Sequence, residues 1–173
     1  MMRPVASLLL LLLAIGSVAV VTADLNVYGE PLKECSSDGM ARTGFTRTGK
    51  CMDKDRDTGS HNVCIDLTSA QNGNFCTVTG QPNWCDEDKT CHDEDHSSST
   101  NNCPIVNWCV CEWAFKGYIE RAGGCDQVSE VECESTNQKV VLHYQTAIDN
   151  NDDAENAQAA LDCLRAKCGQ QIG

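Results

Sequence analysis

The sequence predicts an α+β domain with short strands, two amphipathic helices and a cysteine-rich loop region. Residues 62–68 alternate between apolar and polar side chains, which is typical of a strand with one buried face. Residues 110–121 and 152–168 have apolar residues at helical spacing, and 13 cysteines are distributed over the 173 residues. The mixture of both periodicities in one short chain indicates an α+β class.

The first 23 residues have the layout of a secretory signal peptide. Arg3 supplies a cation, residues 8–14 form an apolar block, and the segment ends with the small residue Ala23. The alternative is a membrane anchor, but serine and glycine interrupt an apolar stretch that is only just long enough to span a bilayer. We expect cleavage after Ala23, so residues 24–173 form a single domain outside the cell or in the secretory-pathway lumen, without stable membrane insertion.

The chain is acidic, with 13 Lys and Arg against 25 Asp and Glu and a formal net charge of -12. Nucleic acids and anionic membranes repel such a surface, which argues against both as partners. We therefore expect a protein or a small ligand as the partner.

The remaining elements follow in order along the chain. Residues 26–59 are rich in turn residues and predict loops with short extended pieces. Residues 69–107 contain four cysteines and little periodicity, which indicates a long loop region held by its cysteines. After the helix at 110–121, which a glycine pair ends, residues 127–135 alternate as a strand. Residues 139–144 are β-branched and fit either a strand or a helix, whereas Asp152 or Asp153 can cap the last helix and Gly169 can end it.

All 13 cysteines follow the expected cleavage site, at a density typical of disulfide scaffolds in oxidising compartments. Disulfides are therefore expected for most of them. Because the number is odd, at least one thiol must be free, bound to a metal or paired with another chain.

Three separated motifs resemble the uncharacterised family called domain of unknown function 2237. The stretch 43–68 has the family's Thr-Gly-Phe, an arginine two residues later, and a Gly-x-His-x-Val-Cys segment at matching spacings. Residues 26–32 with Cys35 resemble the family's opening segment, and Trp108-Cys109-Val110-Cys111 resembles its Trp-Cys-Leu-Cys motif. The resemblance implies a two-layer α+β sandwich but no reaction. A Thr-His pair of the family corresponds here to Thr136-Asn137, which puts any chemistry of that histidine in doubt.

The resemblance divides the cysteines into two groups. Five occupy family-like positions, and we expect the odd thiol among them: Cys35, Cys51, Cys64, Cys109 and Cys111. The other eight are expected to be secretory additions that form up to four bridges among themselves: Cys76, Cys85, Cys91, Cys103, Cys125, Cys133, Cys163 and Cys168.

The candidate site combines the five family-like cysteines with His61 and Asp57. Thiolates and an imidazole suit zinc, although the spacing is not that of a usual zinc motif. The alternatives are disulfides, which the secretory context favours, and a reactive thiol activated by His61. Cys109 or Cys111 would gain from the N-terminus of the following helix, and Asp57 either orients His61 or simply forms a turn. No Cys-x-x-Cys motif of the thioredoxin type is present.

Two other clusters are weaker candidates. Asp53, Asp55 and Asp57 resemble the start of a calcium loop, but the glycine and glutamate that such a loop requires are missing. His92 and His96 are four residues apart among carboxylates, which fits a weak cation site or, more simply, a solvated acidic loop. We find no phosphate-binding glycine loop and no serine-nucleophile motif.

The sequence thus favours a secreted, acidic, disulfide-stabilised module that binds or supports another molecule without catalysis and without a cofactor. The alternative is a metal-dependent or thiol-dependent site, with zinc as the expected metal, formed by the family-like cysteines and His61.

Overall fold

The computed structural model describes residues 24–70, 73–92 and 101–173, so the expected signal peptide lies outside the described residues. The strands and helices are, in chain order, β1 (Val63–Asp66), α1 (Phe75–Thr79), β2 (Asp88–Thr90), β3 (Asn102–Pro104), β4 (Asn107–Val110), α2 (Glu112–Ala122), β5 (Glu130–Val131), α3 (Lys139–Asp149) and α4 (Ala154–Cys168). The predicted α+β class is confirmed.

A three-stranded antiparallel sheet with the order β4-β1-β5 forms the centre of the fold, and β2 and β3 form a separate two-stranded sheet. In the central sheet Val63 is paired with Val110, and Cys64 is paired with Cys109. Successive side chains of a strand point to opposite faces. The sheet therefore presents aliphatic side chains on one face and cysteines on the other.

The main core lies between the aliphatic face of this sheet and the helices. Val63 and Ile65 belong to the same buried cluster as Phe115 and Tyr118 of α2 and Leu161 of α4. A second, separate cluster on the cysteine face consists of Cys35, Cys51, Cys64 and Cys109. One alternating strand thus contributes to two buried regions, because each of its faces is covered.

The boundaries around the first predicted helix need a correction. Val110, which we assigned to that helix, pairs with Val63 as the last residue of β4, and α2 begins at Glu112. Sheet pairing is favoured here because Val110 is β-branched and its partner Val63 in β1 is fully buried. The helix ends as expected, since Gly123 adopts a left-handed φ of 89° and donates its backbone N–H to the carbonyl oxygens of Glu120 and Ile119.

Three other predictions are changed by the structure. The strand expected at 127–135 is reduced to β5 between two short 3-10 turns, Cys125–Gln127 and Cys133–Ser135. The undecided segment 139–144 is helical and begins α3, and the region 69–107 contains α1, β2 and β3 in addition to loops. Helix α3 is thus a long helix in addition to the two predicted ones. It is stabilised because its buried side chains fall on one helical face and the helix packs against α4: Val140, Val141, Tyr144 and Ala147.

The C-terminal helix α4 is found where the sequence predicts it, but the expected capping by an aspartate side chain is not. Asp153 occupies its N-cap position without a capping hydrogen bond from its side chain, and the backbone N–H of Gly169 closes the last turn on the carbonyl of Arg165. Arg165 and Lys167 lie in that last turn, where positive charge is favoured.

Twelve cysteines form six disulfides, and all 13 lie within the described residues: Cys35–Cys64, Cys51–Cys109, Cys76–Cys85, Cys91–Cys103, Cys125–Cys163 and Cys133–Cys168, with Cys111 free. The eight additional cysteines pair only among themselves, and the odd thiol is one of the five family-like cysteines, as expected. Such a density of bridges is typical of an oxidising compartment. Among the described residues, no helix has the length and apolar character needed to cross a membrane.

Candidate functional site

Four of the seven predicted site residues meet in one buried cluster, but they meet as disulfides. Cys64 and Cys109 lie opposite each other on β1 and β4, and each is bridged to a cysteine of the preceding loops. The sulfur atoms of Cys35, Cys51 and Cys64 all lie within 4.8 Å of one another. The two bridges therefore lie side by side beneath the sheet.

This pairing restricts the zinc alternative. A cysteine binds zinc as a thiolate, and a sulfur atom in a disulfide has no such form. Zinc binding by Cys35, Cys51 and Cys64 would therefore require that both bridges first be reduced. In the bridged state the cluster has a structural role, because it joins two loops to the strands β1 and β4.

Asp57 and His61 form the pair that the sequence suggested. Oδ1 of Asp57 lies 2.7 Å from Nδ1 of His61, and Oδ2 accepts the backbone N–H of His61 at 2.8 Å. Oδ1 also accepts the backbone N–H of Gly59, so Asp57 forms a turn and orients the imidazole at the same time. Gly59 is required for this packing, since a Cβ there would lie 2.7 Å from Cε1 of His61. The two alternatives for Asp57 are therefore both true.

Cys111 is the free thiol, and it occupies the N-cap position of α2, as expected for a cysteine that opens this helix. Its backbone carbonyl accepts the N–H of Phe115 at 2.9 Å, and the next residue, Glu112, donates its N–H to the carbonyl of Ser60 at 3.0 Å. The second contact joins the start of α2 to the loop that carries His61. The start of α2 and the loop that precedes β1 are therefore held next to each other.

Cys111 and His61 line the same cleft, which has a volume of about 270 Å³. Its remaining lining residues are mostly aromatic or aliphatic: Phe75, Gln81, Trp84, Trp108, Cys109, Val110 and Ala114. Trp84 and Trp108 contact each other with ring centroids 5.6 Å apart, and Phe45 stacks on His61 at 6.4 Å. An apolar cleft with a few convergent polar groups is the usual form of a small-molecule site.

The pKa of Cys111 is raised overall, because burial outweighs the lowering effect of the helix N-terminus that we expected. Burial raises the pKa of the Cys111 thiol, and the carboxylates of Glu112 and Asp57 raise it further. The backbone N–H groups of Ala114 and Trp113 oppose this pKa shift without overcoming it. Because the thiol is therefore mainly protonated at neutral pH, its reaction would need a nearby base.

The sequence analysis missed a second pair of titratable residues, Glu112 and His143. Glu112 is completely buried, and its carboxylate oxygens lie 2.8 and 3.0 Å from Nδ1 of His143. Asn62 donates to the same carboxylate at 3.2 Å. Burial raises the pKa of Glu112 to about 7, while the contacts with His143 and Asn62 lower it by less. Both Glu112 and His143 line a cleft of about 320 Å³ between α2 and α3.

In the sequence, Glu112 lies opposite the apolar positions of its helix, so helical spacing gives no indication of its burial. Glu112 is covered by His143 of α3, a helix whose first residues fit either a strand or a helix by sequence. The cluster of His92 and His96 lies mostly outside the described residues, but His92 itself is buried. Its Nδ1 is 3.2 Å from Oγ of Ser36, and its Nε2 is 3.4 Å from Glu34.

Thr136 and Asn137 replace the Thr-His pair of the family pattern, and both are buried. Cys64 donates its backbone N–H to Oγ1 of Thr136, and Nδ2 of Asn137 donates to the carbonyl of Cys51, each at 3.1 Å. The amide of Asn137 does not titrate. This position therefore supports the disulfide cluster and takes no part in proton transfer.

The motifs of the sequence agree with a comparison to known protein families. A family model described as "Uncharacterized protein conserved in bacteria (DUF2237)" matches residues 25–148, which include every strand and the helices α1 and α2. No curated protein matches the sequence. The match covers well over half of the chain, so this protein belongs to the DUF2237 family.

Proposed function

We propose that this is a secreted, disulfide-stabilised protein that uses Cys111 as a reactive thiol. One observation carries the proposal: the free cysteine and the Asp57–His61 pair line the same cleft. A thiol, an imidazole and a carboxylate that holds the imidazole are the three parts of an activated cysteine nucleophile. The layout of the first 23 residues and the six disulfides support secretion.

Each residue has a distinct role in this proposal. Asp57 accepts a hydrogen bond from Nδ1 of His61, which leaves Nε2 free to accept a proton. The Cys111 thiol transfers its proton to His61 as its sulfur attacks an electrophilic carbon or sulfur atom of a small molecule. The bond to the leaving group breaks as the new bond to Cys111 forms. The aromatic walls of the cleft exclude water and bind the apolar part of the ligand.

A second candidate function is a binding module without chemistry, in which the same cleft holds a small ligand or a segment of another protein. The raised pKa of Cys111 favours this alternative, because a protonated thiol is a poor nucleophile. The acidic surface argues against nucleic acid as the partner in either case. The two candidates differ in whether the reactivity of Cys111 depends on His61.

We expect one alkylated cysteine per chain when the native secreted protein is treated with iodoacetamide, and 13 after unfolding and reduction. The reason is that only Cys111 is outside a disulfide. Intact mass spectrometry with peptide mapping checks the result, and the same spectrum shows whether the mature chain begins at Asp24. Labelling of Cys35, Cys51 or Cys64 without reduction would contradict the bridged cluster and restore the zinc alternative.

We expect Asp57→Asn and His61→Gln to lower the rate of Cys111 alkylation at neutral pH by at least about tenfold, since general acid–base catalysis typically contributes about a hundredfold or more. The asparagine amide would favour the tautomer that has its proton on Nε2, so the imidazole could no longer accept the thiol proton. The measurement is the second-order rate constant with iodoacetamide between pH 6 and 9.

Asp66→Asn is the matched control, because Asp66 also accepts a backbone N–H in a turn, from Thr68 at 2.8 Å, but does not contact His61. Its rate should equal that of the unmodified protein. If Asp57→Asn and His61→Gln also leave the rate unchanged, the thiol proposal is wrong and the binding module is the better description.

A further inference from the structure

We infer that the substrate of the Cys111 thiol carries an uncharged aromatic group, which lies against Trp84 in the cleft and reaches Phe45 beside it. This inference rests on the proposed function and adds the class of the substrate. It follows from the charge of the cleft, from its aromatic walls and from one exposed phenyl ring that stacks on His61.

The cleft offers no charged partner to a charged ligand. Among the described lining residues none is an aspartate, glutamate, lysine or arginine. The nearby carboxylate of Asp57 is almost completely buried and already accepts hydrogen bonds from His61 and Gly59. A charged group that entered such a cleft would lose its hydration without gaining an ion of opposite sign. An uncharged ligand is therefore favoured, although the chain as a whole has a formal net charge of -12.

Three of the lining side chains are aromatic, and they differ in how much of their surface remains free. Phe75 and Trp108 are almost completely buried, so little of either ring is left for a ligand. Trp84 is only half-buried, and its ring centroid lies 6.2 Å from that of Phe75 and 5.6 Å from that of Trp108. Contacts between aromatic rings are favourable in offset and edge-to-face arrangements. Trp84 therefore provides the aromatic surface that a ligand ring can still cover.

The indole of Trp84 is fixed in its position. Its Nε1 donates to Oε1 of Gln81 at 3.2 Å, and Nε2 of Gln81 donates to Oγ1 of Thr79 at 3.0 Å. The disulfide Cys76–Cys85 joins the turn that carries Trp84 to α1. A ring that is oriented before binding loses less conformational entropy when a ligand covers it.

Phe45 extends the aromatic surface beyond the lining of the cleft. Its side chain is 46% exposed, and its ring stacks on His61 with an angle of 19° between the ring planes. The loop that carries Phe45 is tied to the cleft at a second point, because Oγ1 of Thr43 accepts the backbone N–H of Cys109 at 2.8 Å. Phe45 is thus both accessible and fixed beside the imidazole, where it can contact a ligand ring that extends out of the cleft.

The test offers the protein two uncharged methanethiosulfonates together, one with a benzyl and one with a methyl group. The Cys111 sulfur attacks the sulfenyl sulfur of the reagent and forms a disulfide. The bond to the sulfonyl group breaks, methanesulfinate leaves, and the thiol proton passes to His61. Intact mass spectrometry gives the ratio of benzyl to methyl adducts. Because both reactions use the same thiol and the same base, this ratio reports recognition of the ring.

We expect the ratio of benzyl to methyl adducts to be at least about tenfold higher for the folded protein than for the small thiol N-acetylcysteine amide, since the cleft buries the ring. Trp84→Leu and Phe45→Ala should each lower the ratio about three- to fivefold, because each removes one contact between aromatic rings. Phe45→Tyr keeps the ring and should retain the ratio, whereas Phe45→Leu should not. Since Phe45 is exposed, its variants keep the test decisive if Trp84→Leu does not fold.

Two matched controls make the result specific. Trp113 is a tryptophan with 39% exposure that lines the cleft of Glu112 and His143, so Trp113→Leu should leave the ratio unchanged. Tyr28 is 44% exposed and has no recorded ring contact with the described residues of the Cys111 cleft. Tyr28→Ala should therefore also leave the ratio unchanged.

A second pair of reagents tests the charge of the substrate. The trimethylammonioethyl methanethiosulfonate is a cation, and the dimethylbutyl reagent is its uncharged isostere. The net charge of -12 attracts the cation, so general electrostatics would favour it. We expect the opposite at Cys111: relative to N-acetylcysteine amide, the ratio of cationic to uncharged adducts should fall by at least about threefold, because the cleft holds no counter-charge.

The outcomes separate the substrate class from the proposed function. If Cys111 forms both adducts but Trp84→Leu and Phe45→Ala leave the benzyl-to-methyl ratio unchanged, the aromatic substrate is wrong while the thiol site remains. A full ratio in Phe45→Leu would contradict recognition of a ring by Phe45, and a preference for the cationic reagent would contradict an uncharged substrate. If neither reagent modifies Cys111 in the folded protein, the proposed function itself fails.

Discussion

Loss of the Cys51–Cys109 disulfide is expected to lower the free energy of unfolding by about 4 kcal/mol. The bridge closes a loop of 58 residues, and the entropy that such a loop removes from the unfolded chain corresponds to about this amount at room temperature. Both cysteines are almost completely buried, so their replacement also removes packing in the cluster beneath the sheet. We therefore expect this bridge to contribute more than the short ones.

The Cys76–Cys85 bridge is the matched comparison, because it closes a loop of only 9 residues. The same relation gives about 2.5 kcal/mol for its removal, so the two double alanine variants should differ by about 1.5 kcal/mol or more. Both should be made with Cys111→Ser, which prevents the free thiol from forming new disulfides during refolding. Urea denaturation monitored by tryptophan fluorescence measures the difference. Equal losses would show that loop length does not set the contribution of these bridges.

A second large effect is expected for Glu112→Gln, whose influence on stability should depend on pH. The pKa of Glu112 is raised from 4.5 to about 7, mainly because the carboxyl group is buried. Between these two values the folded protein binds a proton that the unfolded chain has released. The free energy of unfolding therefore falls as pH rises through this range, by up to about 1.4 kcal/mol per pH unit.

Glutamine cannot titrate, so the variant lacks this contribution while it keeps a hydrogen-bonding group for His143. We compare the free energy of unfolding of Glu112→Gln with that of the natural protein. The difference should change in favour of the variant by up to about 3 kcal/mol between pH 5 and pH 8. The midpoint of this pH dependence reflects the titration of Glu112 and His143 together, because the two groups share hydrogen bonds.

Denaturation curves at pH 5, 6, 7 and 8 test this expectation, with Glu134→Gln as the control. Glu134 is an exposed glutamate that is paired with Lys33. Its replacement should therefore change the free energy of unfolding by a similar small amount at all four pH values. Parallel pH profiles for Glu112→Gln and the natural protein would mean that the buried carboxyl group does not titrate in this range.

The raised pKa of Glu112 also bears on Cys111, the preceding residue. The negative charge of Glu112 contributes to the raised pKa of the thiol. Protonation of Glu112 below about pH 7 removes this contribution. Glu112→Gln should therefore also increase the fraction of Cys111 thiolate at pH 8, which the alkylation rate measures directly.

The additional cysteines explain how the C-terminal helix is attached. The family match ends at residue 148, so α4 lies beyond it. Two of the four additional bridges, Cys125–Cys163 and Cys133–Cys168, join α4 to segments inside the matched region. This helix, which lies outside the matched residues, is thus held covalently as well as by its packing against α2 and α3.

The sequence by itself predicted the features that depend on neighbouring residues. Alternation identified β1, helical spacing and a terminal glycine identified α4, and the odd number of cysteines required a thiol outside the intramolecular bridges. The motifs shared with the family separated five cysteines from eight, and the structure confirms both groups. The same motifs include Asp57 and His61. The two residues are only four positions apart, so the sequence already suggested their contact.

Only the tertiary structure decided which side chains are buried and which distant residues meet. Glu112 and His143 are 31 residues apart, and Glu112 is buried because α3 covers it. The β-branched segment that begins α3 fits a strand or a helix until α4 provides a surface for its apolar face. Likewise, the pairing of Cys64 with Cys35 and not with its strand neighbour Cys109 depends on where the loops cross the sheet. Local periodicity carries no information about such contacts, because they depend on the free energy of packing whole elements together.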